Sequence, residues 1–190
     1  EDKPQMREIL ETYYKEMEKL SNHLLSSFAH ALGEDPVFFS VYYQKPLTQL
    51  RLLHYPYVDS GNLEDQRGVE VHTDTGAFTI LMQDETGGLE IKTRDGAWLD
   101  APTVEDTLII NVGDMMQWWT ADRFISTPHR VTNRSGHSRY SVPFFVNPDR
   151  NAVITRLGSD PEDASEIFDA GAHVEKAYVD AWPRDPAGVG

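Results

Sequence analysis

The sequence predicts a mainly β protein, a barrel or sandwich of short strands with helices packed outside it. From about residue 47 to residue 148, β-rich runs alternate with turns of Gly, Pro, Asn and Asp. Before this region, apolar residues recur at steps of three and four, which is helical periodicity. After it, the pattern becomes helical again.

The first predicted element is a long amphipathic helix over residues 4–32. One face carries its apolar side chains: Met6, Ile9, Leu10, Tyr13, Met17, Leu20, Leu24 and Phe28. Pro4 suits the first turn of a helix, and Gly33 suits the position just after the last turn. Packing of this helix against the back of a sheet accounts for the pattern, so no catalytic or binding role is needed to explain it.

The central region contains a series of predicted strands, each ended by turn residues. They are Leu50–Tyr55, Val69–Thr73, Phe78–Gln83, Leu89–Lys92, Thr107–Val112, Ser126–Thr132 and Arg139–Val146. A C-terminal helical segment, 149–190, is predicted to contain short helices over Pro161–Phe168 and Val174–Trp182 and to end in a Pro/Gly-rich tail. We interpret residues 1–190 as a single domain.

Composition narrows the possible partners. The formal net charge is −14 and no basic stripe is present, so neither nucleic acid nor an anionic membrane is expected as a partner. No apolar run is long enough to span a bilayer. The chain has no cysteine, which fits a cytoplasmic location. Any metal must therefore be bound by imidazole and carboxylate groups.

A candidate metal site begins with His72 and Asp74. These residues lie two apart at the end of a predicted strand, so both point to the same face. A His-x-Asp pair alone is a weak signal, because it occurs by chance in many proteins. Asp74 could also cap the turn before Gly76. His129 follows 55 residues later and supplies a second imidazole, unless it is an ordinary core histidine. Two imidazoles and one carboxylate form the facial triad of non-haem Fe(II) oxygenases, which leaves coordination positions open.

A second group of residues follows on the last strand of the central region. Arg139 and Ser141 share a strand face, and a guanidinium beside a hydroxyl suits a buried carboxylate. Phe145 shares that face and is either a substrate-pocket residue or ordinary core. Trp118 has two interpretations: it narrows a substrate pocket, or it packs a helix against the barrel.

Taken together, these motifs resemble the isopenicillin N synthase-like family of Fe(II)/2-oxoglutarate-dependent dioxygenases. The matching stretches are Leu50–Tyr57, His72–Asp74, Asn111–Asp114, His129–Val131, Arg139–Ser141 and Val142–Pro148. The resemblance implies a double-stranded β-helix, the jelly-roll barrel shared with cupins, with the long N-terminal helix and short C-terminal helices outside it. The family usually carries a further N-terminal region, which we expect this chain to lack.

The resemblance also implies an activity. It assigns Fe(II) to His72, Asp74 and His129, and 2-oxoglutarate to Arg139, Ser141 and Tyr55. With O2 as the second co-substrate, such an enzyme oxidises an unactivated C–H bond of a small molecule by hydroxylation, desaturation or cyclisation. Succinate and CO2 are released. We expect a monomer or a weak homo-oligomer.

Two other functions remain open from the sequence. In isopenicillin N synthase the same Arg-x-Ser pair and tyrosine bind the substrate's carboxylate, and no 2-oxoglutarate is used. The motif thus predicts a bound carboxylate more firmly than it predicts which one. The second alternative is a non-catalytic β-barrel that binds a metal or a small ligand.

Overall fold

The computed structural model describes residues 3–57, 67–160 and 163–181. Within these ranges the helices are α1 (Pro4–Leu32), α2 (Asp114–Trp119) and α3 (Ala170–Ala181). The strands are β1 (Pro46–Leu50), β2 (Leu53–Tyr55), β3 (Arg67–His72), β4 (Phe78–Gln83), β5 (Leu89–Lys92), β6 (Trp98–Asp100), β7 (Ile109–Val112), β8 (His129–Thr132), β9 (Arg139–Asp149), β10 (Val153–Thr155) and β11 (Ile167–Asp169). Short 3-10 turns cover Ser40–Tyr42 and Ala164–Glu166.

The central strands form two antiparallel sheets. The larger has the order β1-β9-β4-β7, with β2 also paired to β9, and the smaller has the order β3-β8-β5-β6. Residues of both sheets line one cavity between them. This arrangement confirms the predicted mainly β jelly roll, with helices outside it.

Helix α1 covers the outer face of the larger sheet. It has the predicted bounds, and Gly33 ends it in the left-handed conformation, with φ of 78°. Its Phe28 ring packs edge-on against Phe78 of β4, with ring centroids 5.4 Å apart. Near its N-terminus, however, Met6 and Ile9 are 46% and 67% exposed. The predicted apolar face is therefore buried mainly along the later part of the helix.

Two differences from the predicted elements of the central region concern the number of strands. The single predicted strand Leu50–Tyr55 is two strands, because β9 has 11 residues and pairs with β1 and β2 in succession. β6 was not predicted at all; it pairs with β5 at the edge of the smaller sheet.

The C-terminal segment is less helical than predicted. In the described part of Pro161–Phe168, a 3-10 turn leads into β11, which pairs with β10. This hairpin buries Ile154 completely and packs Phe168 against Trp118. Helix α3 begins at Ala170, where the Asp169 side chain accepts a hydrogen bond from the backbone N–H of Ala172 at 2.8 Å. Residue 182 and the predicted tail lie outside the described residues.

Candidate active site

The cavity between the two sheets, here called the barrel cavity, has a volume of about 370 Å3. Seven of the residues singled out from the sequence line it: Tyr55, His72, Asp74, His129, Arg139, Ser141 and Phe145. Strand alternation explains this grouping, since residues 139, 141, 143 and 145 of β9 point to the same side. The fold thus brings the predicted metal ligands and the predicted carboxylate-binding residues into one cavity.

His72 and His129 approach each other across the smaller sheet. They are direct partners in the antiparallel pairing of β3 and β8, and their ring centroids are 4.2 Å apart. Asp74 follows β3 by two residues, and its Oδ1 lies 3.9 Å from His72 Nε2 and 3.8 Å from His129 Nε2. One ligand atom from each residue lies within 4.8 Å of the other two, so the three could hold one metal ion.

Backbone carbonyls fix which imidazole nitrogen faces this centre. His72 Nδ1 lies 2.8 Å from the Glu70 carbonyl, and His129 Nδ1 lies 3.0 Å from the Thr127 carbonyl. Because a carbonyl only accepts hydrogen bonds, each Nδ1 must carry the proton and donate. In the neutral rings the lone pair is then on Nε2, the atom directed at Asp74, which is the form that binds a metal.

The second carboxylate oxygen of Asp74, Oδ2, accepts hydrogen bonds from two other side chains. Thr79 Oγ1 and Asn111 Nδ2 each donate to Asp74 Oδ2 at 2.7 Å. These two donors orient the carboxylate so that Oδ1 faces the histidines. Sequence analysis gave neither residue a role in the site, although Asn111 begins one of the stretches that match the family. The pairing of β4 with β7 sets Thr79 opposite Asn111 in the same row, a relationship that local sequence does not reveal.

The turn after Asp74 is held by the start of α2. The backbone N–H of Asp114 donates to the Asp74 carbonyl at 2.7 Å, and that of Met115 donates to the Gly76 carbonyl at 3.1 Å. A Cβ atom on Gly113 would lie 2.2 Å from the Gly76 carbonyl oxygen. Glycine is therefore required at 113, because the two backbones approach too closely for any side chain.

Arg139 is buried, at 1% exposure. Its Nε donates to the Gly87 carbonyl at 2.6 Å and its Nη2 donates to Gln83 Oε1 at 3.1 Å. Its Nη1 is also buried and has no hydrogen-bond partner in the described part of the chain. Burial lowers the pKa of Arg139, against the opposing influence of Tyr55 and Asp84, but a guanidinium stays charged at neutral pH. An unsatisfied buried cationic donor of this kind fits a carboxylate ligand.

Ser141 and Tyr55 adjoin this guanidinium. Ser141 is buried two residues along β9, and Tyr55 is the direct partner of Arg139 in the pairing of β2 with β9. The Arg139 Cζ atom lies 5.0 Å from the centre of the Tyr55 ring. A Cβ atom on Gly68 would lie 2.4 Å from that ring, so β3 packs directly against its face.

The two aromatic candidates have different positions. Phe145 lines the barrel cavity, as the pocket interpretation requires. Trp118 is not among the described residues that line it; its ring packs on Phe168 with centroids 4.9 Å apart. This contact fits the packing interpretation of Trp118, and its assignment to the substrate pocket stays a prediction.

Within the described residues, no helix has both the length and the apolar character needed to cross a bilayer.

Comparison with known proteins gives consistent results. Residues 35–148 match the model of the 2OG-Fe(II) oxygenase superfamily. Clavatol oxidase claD of Penicillium crustosum is 39% identical over 170 residues, which cover 85% of this chain and 49% of that protein. The chain spans about half the length of the curated relatives it matches.

Solved structures agree in fold. A full-length Neurospora crassa protein in complex with alpha-KG and thymine superposes with a TM-score of 0.84 at 28% identity, covering 93% of this chain and 57% of that one. Dioxygenase for auxin oxidation 1 from Arabidopsis thaliana, in a 2-oxoglutarate complex, gives a TM-score of 0.72 at 28% identity, covering 86% and 60%. The family predicted from the motifs is confirmed: this chain belongs to the 2OG-Fe(II) oxygenase superfamily.

Proposed function

We propose that this chain is the catalytic domain of an Fe(II)- and 2-oxoglutarate-dependent oxygenase that oxidises a C–H bond of a small molecule. The outcome would be hydroxylation, desaturation or cyclisation, with release of succinate and CO2. One observation carries the proposal: two imidazole nitrogens and a carboxylate oxygen converge in the same cavity as a buried guanidinium with an unsatisfied donor.

In this proposal His72 and His129 bind Fe(II) through Nε2, and Asp74 binds it through Oδ1. Three protein ligands leave part of the coordination sphere for co-substrates. When bound, the iron supplies the centre at which O2 and 2-oxoglutarate react so that a C–H bond is oxidised. The protein's part is to fix three donors, direct Nε2 of both imidazoles at the metal, and line the space beside them with apolar side chains such as Leu81, which exclude water.

The co-substrate would be held at the other end of the cavity. Arg139 would donate to the distal carboxylate of 2-oxoglutarate, with the hydroxyls of Ser141 and Tyr55 beside it. The complexes of the Neurospora crassa and Arabidopsis thaliana proteins with alpha-KG and 2-oxoglutarate support 2-oxoglutarate as the co-substrate. The 2-oxoglutarate-independent alternative would instead set a substrate carboxylate on Arg139.

An anaerobic titration separates these functions. Fe(II) and 2-oxoglutarate are added to the purified chain while the metal-to-ligand charge-transfer absorption is followed. We expect a band that requires both components and that is lost in a His129→Ala variant. Iron binding without any 2-oxoglutarate band, combined with substrate-dependent O2 uptake, would instead identify an oxidase or cyclase. Iron binding with neither response would favour a non-catalytic barrel.

We propose that residues 1–190 act as one catalytic domain, in the cytoplasm, as a monomer or weak homo-oligomer. The net charge of −14 supports a protein without nucleic acid or anionic membrane as a partner.

A further inference from the structure

The ligand turn, defined here as residues 73–76, is held by its neighbours at both ends. At its start, Thr73 Oγ1 donates to Asp114 Oδ2 at 2.9 Å, in addition to the backbone hydrogen bonds from α2 described above. At its end the turn runs directly against β9, where a Cβ atom on Gly76 would lie 2.0 Å from Asn147 Oδ1. The first and last residues of the ligand turn are therefore fixed by α2 and by β9.

Helix α3 supplies a further donor, at the middle of the ligand turn. His173 Nε2 lies 3.1 Å from the carbonyl oxygen of Thr75, and because a carbonyl only accepts hydrogen bonds, this nitrogen carries the proton and donates. The backbone N–H of Met115 also approaches the Thr75 carbonyl, at 3.3 Å, but it lies closer to the Gly76 carbonyl, at 3.1 Å. Of the two donors at Thr75, the residue directly after Asp74, the imidazole is the nearer.

Open space separates part of α3 from the ligand turn. A cavity of about 220 Å3 lies there, and its lining includes Thr75 and Gly76 of the turn and Val174 and Ala177 of α3. Side chains on opposite walls of a cavity do not touch, so van der Waals contact does not set the distance between those walls. The directional hydrogen bond from His173 to Thr75 supplies a constraint that contact across this space does not.

An aromatic row orients the imidazole of His173. Its ring centroid lies 4.6 Å from that of Phe168 on β11, and the Phe168 centroid lies 4.9 Å from that of Trp118 on α2. The row thus connects α3, through β11, to the same helix whose first turn donates to the backbone of the ligand turn. His173 is the member of the row whose polar atom reaches the ligand turn.

Resting on the proposed function, we propose that His173 is a positioning residue for the metal ligand Asp74. It acts through the Thr75 carbonyl, because its hydrogen bond fixes the peptide group after Thr75 and so restrains the backbone that carries Asp74. Thr79 and Asn111 orient the Asp74 carboxylate from inside the barrel, whereas His173 holds its backbone from outside. Metal affinity thus depends on the docking of a helix that supplies no metal ligand.

Metal affinity and a spectrum, rather than turnover, test this role. Co(II) is titrated into wild type and into variants at position 173, and the ligand-field absorption of the bound metal is recorded. His173→Phe keeps a ring beside Phe168 but has no N–H donor, and His173→Asn is polar but too short to reach the Thr75 carbonyl. Both variants should raise the Co(II) dissociation constant by about tenfold, the lower end of the range for residues that orient metal ligands.

His173→Gln is the conservative variant that should rescue the interaction. Its terminal amide can place an N–H donor near the position of imidazole Nε2, so its Co(II) dissociation constant should stay within about threefold of wild type. Its ligand-field bands should match those of wild type, whereas the bands of His173→Phe and His173→Asn should shift because Asp74 meets the metal in a different geometry. His23→Phe, at an exposed position on α1, is the matched control and should behave as wild type does.

Urea unfolding of the metal-free proteins separates positioning from support of the fold, since affinities are compared only where each variant is folded; if His173→Phe does not fold, His173→Asn decides. Unchanged Co(II) affinity and unchanged bands in folded His173→Asn would overturn the proposal. A loss of affinity in His173→Gln as large as that in His173→Asn would also overturn it. Failure of wild type itself to bind Co(II) would instead refute the proposed metal centre, and the wild-type titration reports that separately.

Discussion

The side-chain amide of Asn111 donates to Asp74 Oδ2 at 2.7 Å, on the oxygen that faces away from the two histidines. The Thr79 hydroxyl donates to the same atom. Asp74 is thus presented to a metal through one oxygen only, and the residues that impose this lie on β4 and β7 of the opposite sheet.

Removing the amide should weaken metal binding. Asn111→Leu keeps the approximate shape of the side chain but leaves Asp74 Oδ2 with one donor, so the metal dissociation constant should rise by about 10–100-fold. Thr79→Val should act similarly, whereas Thr79→Ser retains a hydroxyl and serves as the control. A competition titration with Fe(II) or Co(II) measures all three. Unchanged affinity in both Asn111→Leu and Thr79→Val would refute an orienting role.

Loss of a ligand should have a larger effect than loss of an orienting residue. His129→Ala removes one of three donors, so metal affinity should fall by more than the ~100-fold upper range for outer-sphere partners. His23→Ala is the control, because His23 is exposed on α1 and is not among the described residues that line the barrel cavity. The same competition titration applies. Equal affinities of the two variants would exclude His129 as a ligand.

Arg139 should determine affinity for 2-oxoglutarate without affecting the metal. Truncating one partner of a buried charge pair typically costs about 2–5 kcal/mol, so Arg139→Met should raise the 2-oxoglutarate dissociation constant by at least about 30-fold. Arg139→Lys should also bind poorly, because lysine lacks the planar fork. Arg134→Lys, at a half-exposed residue on the outside of the smaller sheet, is the control. The idea fails if calorimetry finds 2-oxoglutarate binding intact in Arg139→Met.

A buried ion pair in the smaller sheet should make stability depend on pH. Glu90 accepts two hydrogen bonds from Arg130, at 2.8 and 3.0 Å, and one from Thr132 at 3.0 Å. The Arg130 hydrogen bond lowers the pKa of Glu90, against the opposing effect of burial. A carboxylate whose pKa is lowered by folding stabilises the protein at neutral pH, and this contribution is lost as the pH falls through the folded-state value.

Glu90→Gln should therefore destabilise the protein at about pH 7 by roughly 1–3 kcal/mol, the usual worth of hydrogen bonds to a charged group. The difference from wild type should shrink as the pH is lowered into the range where Glu90 is protonated in both states. Urea unfolding at several pH values measures it, with Glu105→Gln at an exposed position as the control. A difference that is independent of pH would contradict this origin.

The parts of the site that sequence could predict are those that depend on a single strand. Side chains alternate between the two faces of a strand, so the sequence alone predicts that Arg139 and Ser141 lie on the same face. The same argument applies to His72 and Asp74, which are also two residues apart. The bounds of α1 were also predictable, since Pro4 and Gly33 mark its ends.

Features that depend on which strands are neighbours could not be predicted. Thr79 and Asn111 meet because β4 and β7 pair, and Arg51 reaches Tyr178 only because α3 folds back over the sheet edge. The hairpin of β10 and β11 was missed for another reason. The segment 161–168 is largely polar and ends in Ile167 and Phe168, and two adjacent apolar residues fit either a helix or a strand until tertiary packing decides.

Strand β3 lies at the end of the smaller sheet and, in the described part of the chain, pairs only with β8. A cation bound between His72 and His129 would cross-link this terminal strand to its neighbour and close a long loop of chain. Ligand binding to the native state alone raises its stability in proportion to the logarithm of ligand concentration. Bound iron would therefore stabilise the pairing of β3 with β8, and a chelator should loosen β3 before the rest of the barrel.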